Sequence, residues 1–346
     1  MKIDLVNAVL PRPLRKTLRW VNRRLLDFTF KQVGLEERRR LLEIALQHIE
    51  FEELASIVNA CGLNVSRISD FYSPLPVVST LQRNLSRWFK PSQMKGVRYD
   101  LDAMKQLLLR LASTYAEEYQ RLPPYEEAKR LGYGPGFTAV DAMLLYFMVR
   151  DLKPRRYIEV GSGLSTWYCS TAANQNAKAG HLLNITCIDP YPFEALYTIP
   201  RIEVIRNEVQ DVPVSFFEQL DVGDILFIDS THVVKIDGDV PYLYLEVLPR
   251  LKKGVIIHIH DIHFPFNVPY PPQCYIFGGW KWPVFWTEAM LLQALLCTSD
   301  AFQIKMSAPL LRHFSEEFLK EVIPDYSPVD PANMHTHFGS IWIEKV

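Results

Sequence analysis

Between Arg156 and Thr166 the chain reads RYIEVGSGLST, a run of strand-forming residues that contains an acid and breaks into Gly161-Ser162-Gly163 ahead of a helix-compatible stretch. A strand ending near Val160 must turn at once. The two glycines let the backbone turn sharply and come close to a ligand, and the helix that follows offers free N–H groups at its N-terminus. This is the pattern of a nucleotide-binding β-turn-α unit. A dinucleotide fingerprint G-x-G-x-x-G would put a third glycine at position 166, where the chain has Thr166.

After this motif, short apolar runs alternate with helix candidates. Strands are expected at Asn184–Ile188, Ile202–Ile205, Asp224–Asp229, Gly254–His260, Phe302–Met306 and Ser340–Glu344. Helices are expected at Ser165–Ala173, Pro213–Leu220, Val240–Leu251 and Trp286–Leu296, and the last strand follows a long stretch without a steady period. Such alternation predicts an α/β domain with a largely parallel sheet covered on both faces.

Upstream, the periodicity predicts helices over Leu14–Phe28, Glu36–Cys61, Leu101–Tyr119 and Thr138–Leu152. The first is basic and amphipathic, with Arg15, Lys16, Arg19, Arg23 and Arg24 between its apolar positions. It suits packing on its own domain or a second subunit, or attachment to an anionic membrane surface or another partner. The segment Phe71–Gly96 is rich in proline, serine and aromatics and reads as an ordered arm, and Leu122–Gly136 reads as a turn-rich joint. Three regions follow: a helical N-terminal region over 1–70, an arm and helix over 71–135 that are candidates for covering a site, and the α/β domain over 136–346.

At 346 residues, 48% hydrophobic and 22% charged, the chain can bury a sizeable core, so disorder is not expected. A formal net charge of -1 disfavours a nucleic-acid partner held by overall charge. The five cysteines, Cys61, Cys169, Cys187, Cys274 and Cys297, include no C-x-x-C pair and read as reduced thiols. Pro11, Arg12 and Pro13 interrupt any apolar leader, and no apolar run approaches membrane-spanning length, so a cytoplasmic location is expected.

The residues able to carry chemistry stand at strand ends. Asp189 closes the second strand 26 positions after Gly163, where a nucleotide-binding sheet accepts hydrogen bonds from ribose hydroxyls; a helix cap or turn aspartate is the plainer alternative. The fourth strand runs ILFIDSTH, to Asp229 and His232. The fifth runs VIIHIHDIH, through His258 and His260 to Asp261 and His263. Ligands of an open α/β sheet sit beyond the carboxyl ends of its strands, so Asp229, His232, His260 and Asp261 should meet at one crevice. Four of the nine histidines fall between positions 232 and 263, and each has core or supporting packing as its plainer role. Two aspartates and one imidazole suit Mg or Mn, and also Fe or Zn.

The blocks IEVGSGLST, CIDPYP, FIDSTHV, LPRLKKGVIIHIHDIHFPF and WTEAMLLQALL, in this order, resemble class I S-adenosylmethionine-dependent methyltransferases of the methyltransferase-24 group. Members are found among enzymes that modify glycans and secondary metabolites. The resemblance runs from about Phe71 to the C-terminus. It implies a Rossmann-like, mostly parallel, seven-stranded sheet with an antiparallel insertion. It also implies Glu159, Gly161, Ser162, Gly163 and Ser165 around the methionine part of S-adenosylmethionine, Asp189 on the ribose, and Asp229 bordering the cofactor. Related sugar O-methyltransferases hold a divalent metal on paired acids and use a histidine as base. Carried onto this chain, Asp229, His260 and Asp261 become the metal set for Mg or Mn, and His232 the base, with His260 beside it and standing where a second acid would be. The acceptor would be a glycan or small-molecule hydroxyl, and a homo-oligomer is compatible with the pattern. Two other readings stay open. One is a non-catalytic nucleotide-binding module docking through residues 14–28. The other is an NAD-dependent sugar-nucleotide enzyme, which Thr166 disfavours. The proline- and aromatic-rich run Asn267–Trp286 suits an acceptor wall or lid as well as a packed loop.

Overall fold

Seven short runs of aliphatic residues form one sheet: β1 (Arg156–Val160), β2 (Asn184–Ile188), β3 (Ile202–Ile205), β4 (Ile225–Ile228), β5 (Ile256–Ile259), β6 (Phe302–Ser307) and β7 (Ile341–Lys345). The computed structural model describes residues 34–134, 136–278, 282–324 and 326–346. Strand order is β3-β2-β1-β4-β5-β7-β6. The first five strands pair in parallel, and β7 runs antiparallel between β5 and β6. All residues of β4 and β5 are buried, as expected where helices cover both faces of a sheet. The expected seven-stranded, mostly parallel architecture with an antiparallel insertion is therefore the one observed.

The chain leaves β1 toward β2 on one side, while β4 and β5 continue on the other. The carboxyl ends of β1 and β4 thus form a topological switch point, where such sheets bind ligands. At the opposite end, Asp224 Oδ1 accepts from the backbone N–H groups of Arg155 and Arg156, at 3.0 and 2.9 Å. These bonds clip the start of β1 to that of β4.

The helix Ala139–Leu152 is capped by Thr138 and has nine consecutive buried residues from Asp141 to Val149. A helix buried all round has no polar stripe, and this one lies between the helices Leu101–Tyr119 and Leu164–Lys178. Leu101–Tyr119 has the expected bounds, and the Asp100 carboxylate caps it by accepting from Ala103 N.

Several elements differ from expectation. The stretch Glu36–Cys61 is two helices, Leu35–Gln47 and Phe51–Ala60, because Glu50 adopts an extended conformation between them. The arm holds two short helices, Val78–Arg83 and Leu85–Trp88. Pro213–Leu220 contains one helical turn, Val214–Phe217. The stretch expected as the helix Val240–Leu251 has a π-helical centre, Tyr242–Val247, flanked by Pro241 and Pro249, which have no N–H to donate. The stretch before β7 is not irregular: Ala308–Val322 is helical, capped by Ser307, with Pro309 in its first turn and a break at Ser315. The basic segment Leu14–Phe28 lies outside the described residues.

The described residues fall into two compact units, one ending at Pro74 and one from Leu75 to Val346. Among the described residues no helix is long and apolar enough to cross a membrane. The five cysteines are unpaired.

Candidate active site

The glycine turn follows from its close contacts. Gly161 has φ +80°, and a Cβ on it would lie 1.9 Å from the Asp229 carbonyl oxygen, so only glycine brings β1 this close to β4. Ser162 donates from both N and Oγ to Asp189 Oδ2, at 3.0 and 2.6 Å, while Asp189 Oδ1 accepts from Tyr191 N at 2.8 Å. The acid at the end of β2 therefore holds the turn and also borders the crevice above it. That crevice, about 380 Å³, is lined among others by Gly161, Asp189, Tyr191, Asp229 and Lys235.

Glu159 and Ser165 are not in the crevice wall. Both are buried, and the Ser165 hydroxyl donates to Glu159 Oε1. Thr166 Oγ1 donates to Glu159 Oε2 at 2.7 Å and accepts from Gly163 N at 3.1 Å. Position 166, where a dinucleotide site would need glycine, thus supplies a hydroxyl that ties the turn to the strand acid. Burial pushes the Glu159 carboxyl up to about 8 despite its hydroxyl donors.

Beyond β4 and β5, Asp229, His232, His260 and Asp261 come together. His232 Nε2 lies 3.3 Å from Asp229 Oδ1 and 3.4 Å from Asp261 Oδ2. His260 Nδ1 lies 3.3 Å from Asp229 Oδ1 and 3.7 Å from Asp261 Oδ2. Each ring is fixed from behind by another acid: His232 Nδ1 meets Glu288 Oε2 at 2.8 Å, and His260 Nε2 meets Asp141 Oδ2 at 3.2 Å. Both imidazoles therefore point one nitrogen at the same two aspartates and anchor the other on an outer carboxylate. Asp229 is the most exposed of the four, at 27% of its side chain, and it also lines the crevice.

The backbone around the cluster is strained in two places. His232 and Asp261 both sit in the left-handed region, with φ +60° and +56°. The His232 carbonyl accepts from Thr287 N and Glu288 N, at 2.8 and 3.1 Å, so the loop after β4 caps the helix Glu288–Thr298. That docking delivers Glu288 to the His232 ring. Asp261 is pinned by Gly339, whose carbonyl accepts from Ile262 N at 2.8 Å; a Cβ on Gly339 would lie 2.9 Å from Asp261 Cα.

Burial alone would lower the His232 pKa, but its carboxylate neighbours, Asp229 and Glu288 foremost, raise it to about 10. His260 is also held well above the usual range: burial works against its charge, and Asp261, Asp229 and Asp141 outweigh it. Asp141 is lowered to about 2, the charge and hydrogen bonding of His260 overcoming complete burial.

The other two histidines of the run lie outside the cluster. His258 is stacked between Phe227 and Trp342, with ring centroids at 4.2 and 3.8 Å, and its Nε2 pairs with Ser340 Oγ at 2.9 Å. Burial keeps it neutral. His263 lines a separate cavity. From the aromatic run, Trp286 packs on the His232 ring at 4.9 Å. Sequence reasoning missed Asp141 and Glu288. Asp141 carries a usable signal, being the one acid in the apolar run Ala139–Val149 and having to find a partner once buried.

A β-turn-α glycine loop with an acid at the end of β2, at the switch point of a seven-stranded sheet with an antiparallel insertion, defines a nucleotide-binding α/β domain. Residues 158–262 match the methyltransferase-24 family model, described as a methyltransferase domain. That match assigns residues 158–262 to a methyltransferase domain. The chain is 27% identical over 194 residues to an uncharacterized protein of Archaeoglobus fulgidus, a match covering 50% of this chain and 85% of that one. Among solved structures it is similar to the O-methyltransferase TomG of Streptomyces achromogenes in complex with SAM. That match has 14% identity and a TM-score of 0.38, over 72% of this chain and 91% of the other. It is also similar to the SAH-bound O-methyltransferase of Bacillus cereus, at 12% identity and a TM-score of 0.37, over 78% of this chain and 100% of the other.

Proposed function

We propose that this enzyme transfers the methyl group of S-adenosylmethionine to a hydroxyl oxygen of a small-molecule acceptor, a saccharide being the leading class, with His232 as the proton acceptor. The observation that carries this reading is the double position of Asp229, which lines the cofactor crevice and also faces both cluster histidines. A hydroxyl beside Asp229 would stand between the methyl donor and His232. The sulfonium methyl is already electrophilic, so the protein has to align the hydroxyl and remove its proton. Glu288 fixes the His232 ring through Nδ1, and because the carboxylates around it raise its pKa to about 10, the hydroxyl proton goes to Nε2 of the deprotonated fraction and transfer should rise with pH toward 10. Ser162 and Asp189 shape the cofactor crevice, and Glu159, Ser165 and Thr166 brace the glycine turn from below.

The donor set fits a divalent ion. One atom each from Asp229, His260 and Asp261 lies within 4.8 Å of the others, and a ligating histidine anchored on an outer carboxylate, as His260 is on Asp141, is the usual support for a metal. Asp229, His260 and Asp261 would hold it, and it would supply Lewis acidity that makes a bound hydroxyl more acidic. Mixed oxygen and nitrogen donors favour Mn and its first-row neighbours over Mg. We assign catalysis to residues 136–346, with 71–135 contributing cover and 1–70 an accessory role.

His232→Ala should abolish transfer while leaving S-adenosylmethionine affinity within about twofold, measured by calorimetry alongside product mass spectrometry. A variant that keeps most of its turnover would place the base elsewhere.

A further inference from the structure

A second cavity, about 300 Å³, opens beside the loop leaving β5. Its wall includes His263, Phe266, Tyr270 and Arg312. The Arg312 guanidinium lies over the rings of Phe338 and Tyr270, at 4.3 and 5.3 Å from their centroids. These ring faces offset part of its charge but accept none of its in-plane hydrogens. Arg312 Nη1 is buried and has no hydrogen-bond partner. Glu316, one turn along the same helix and also in the cavity wall, acts on the Arg312 charge but makes no hydrogen bond to Nη1, and its Oε1 accepts from Tyr326 OH at 2.9 Å. His263, 1% exposed, likewise has Nε2 buried and unpartnered.

A buried guanidinium nitrogen left without a hydrogen-bond partner is costly, and an anion placed against it offsets that cost. The cavity opens at the same end of the sheet as the cluster, since His263 on its wall is two residues beyond Asp261 on the loop leaving β5. Phe266 and Tyr270 stack at 4.5 Å and present a flat apolar wall. Resting on the methyltransferase reading above, we infer that this cavity is the anchoring subsite of the methyl acceptor, and that the acceptor carries a carboxylate or phosphate which Arg312 Nη1 binds. A ring bearing that anion would pack on Phe266 and Tyr270, with its hydroxyl toward Asp229 and His232.

The test uses the full chain and three probes, benzoate, phenyl phosphate and benzyl alcohol, titrated by ligand-observed NMR with S-adenosylhomocysteine present. At least one anionic probe should bind tenfold or more tightly than benzyl alcohol, and the better of the two identifies the acceptor's anion. Arg312→Gln should weaken that probe at least tenfold and leave S-adenosylhomocysteine affinity unchanged. Equal affinity for the neutral and anionic probes, or full retention in Arg312→Gln, would overturn the inference. Should Arg312→Gln not fold, Arg312→Lys decides, keeping the charge without the planar fork. A tenfold or greater preference of that variant for the anionic probe supports the subsite, and no preference overturns it. Failure of the wild-type chain to bind S-adenosylhomocysteine would instead sink the methyltransferase reading, and the probe comparison would still judge the subsite.

Discussion

At the scale of single residues, the site depends on positions where one atom more or less decides the outcome. Gly161→Ala puts a methyl group 1.9 Å from a backbone oxygen at φ +80°, so β1 and β4 must separate beside the crevice that Gly161 lines. Calorimetry should show S-adenosylmethionine affinity reduced at least tenfold; unchanged affinity would mean that the turn is not the cradle. Glu159 makes a different prediction. Its carboxyl, ordinarily near 4.5, is raised to about 8 in the fold by burial, so between those values the folded protein holds a proton that the unfolded chain has released. Stability from this group is full below about pH 4.5 and is lost as pH rises toward 8, with a slope approaching ~1.4 kcal/mol per pH unit. Glu159→Gln should flatten that part of the profile in urea melts run from pH 5 to 8. An unaltered slope would show that Glu159 is ionised in the fold.

At the scale of elements, the strand-end acids and histidines were legible in the sequence because a parallel sheet gathers strand ends at one place. Asp229, His232, His260 and Asp261 needed only the alternation of β4 and β5 and their neighbouring ends. Asp141 and Glu288 come from helices 119 and 56 residues away from the histidines they hold, and nothing in local periodicity reports such pairing. Each also looks like an ordinary first-turn helix acid, which is why a local reading passes over it. The Ala308–Val322 helix was missed for another reason: Pro309 and the break at Ser315 obscure a period that its Ser307 cap otherwise supports. Asp141 ties three elements together, since it accepts from Ser340 N at 2.9 Å and from Thr138 Oγ1 at 2.7 Å and also meets His260. Asp141→Asn places an amide donor among these donors and removes the charge opposite His260. It should cost about 3–5 kcal/mol in chemical denaturation, the usual scale for breaking a buried pair. A loss below ~1 kcal/mol would show that the triple contact is incidental.

At the scale of the whole molecule, the described chain is two compact units, and the stretch from Cys61 to Tyr72 is exposed throughout. Exposed backbone without regular pairing is where proteases enter. Within residues 34–346, brief trypsin treatment should cut first after Arg67 and leave the unit beginning at Leu75 intact, as read by mass spectrometry of the fragments. First cuts inside 101–178 would contradict the division.

The contact between Asp141 and Ser340 also has a consequence in time. These partners are 199 residues apart, and Ser340 leads into the strand that separates β5 from β6. At about 5–20 residues per second, a growing chain that has emitted Asp141 waits roughly 10–40 s before Ser340 is even made. Until then the acid has Thr138 and, once it is made, His260, but no bond from the β7 side of an unfinished sheet. Competence for chemistry should therefore wait on the synthesis of residue 340, and messages cut short before that codon should yield a protein without it.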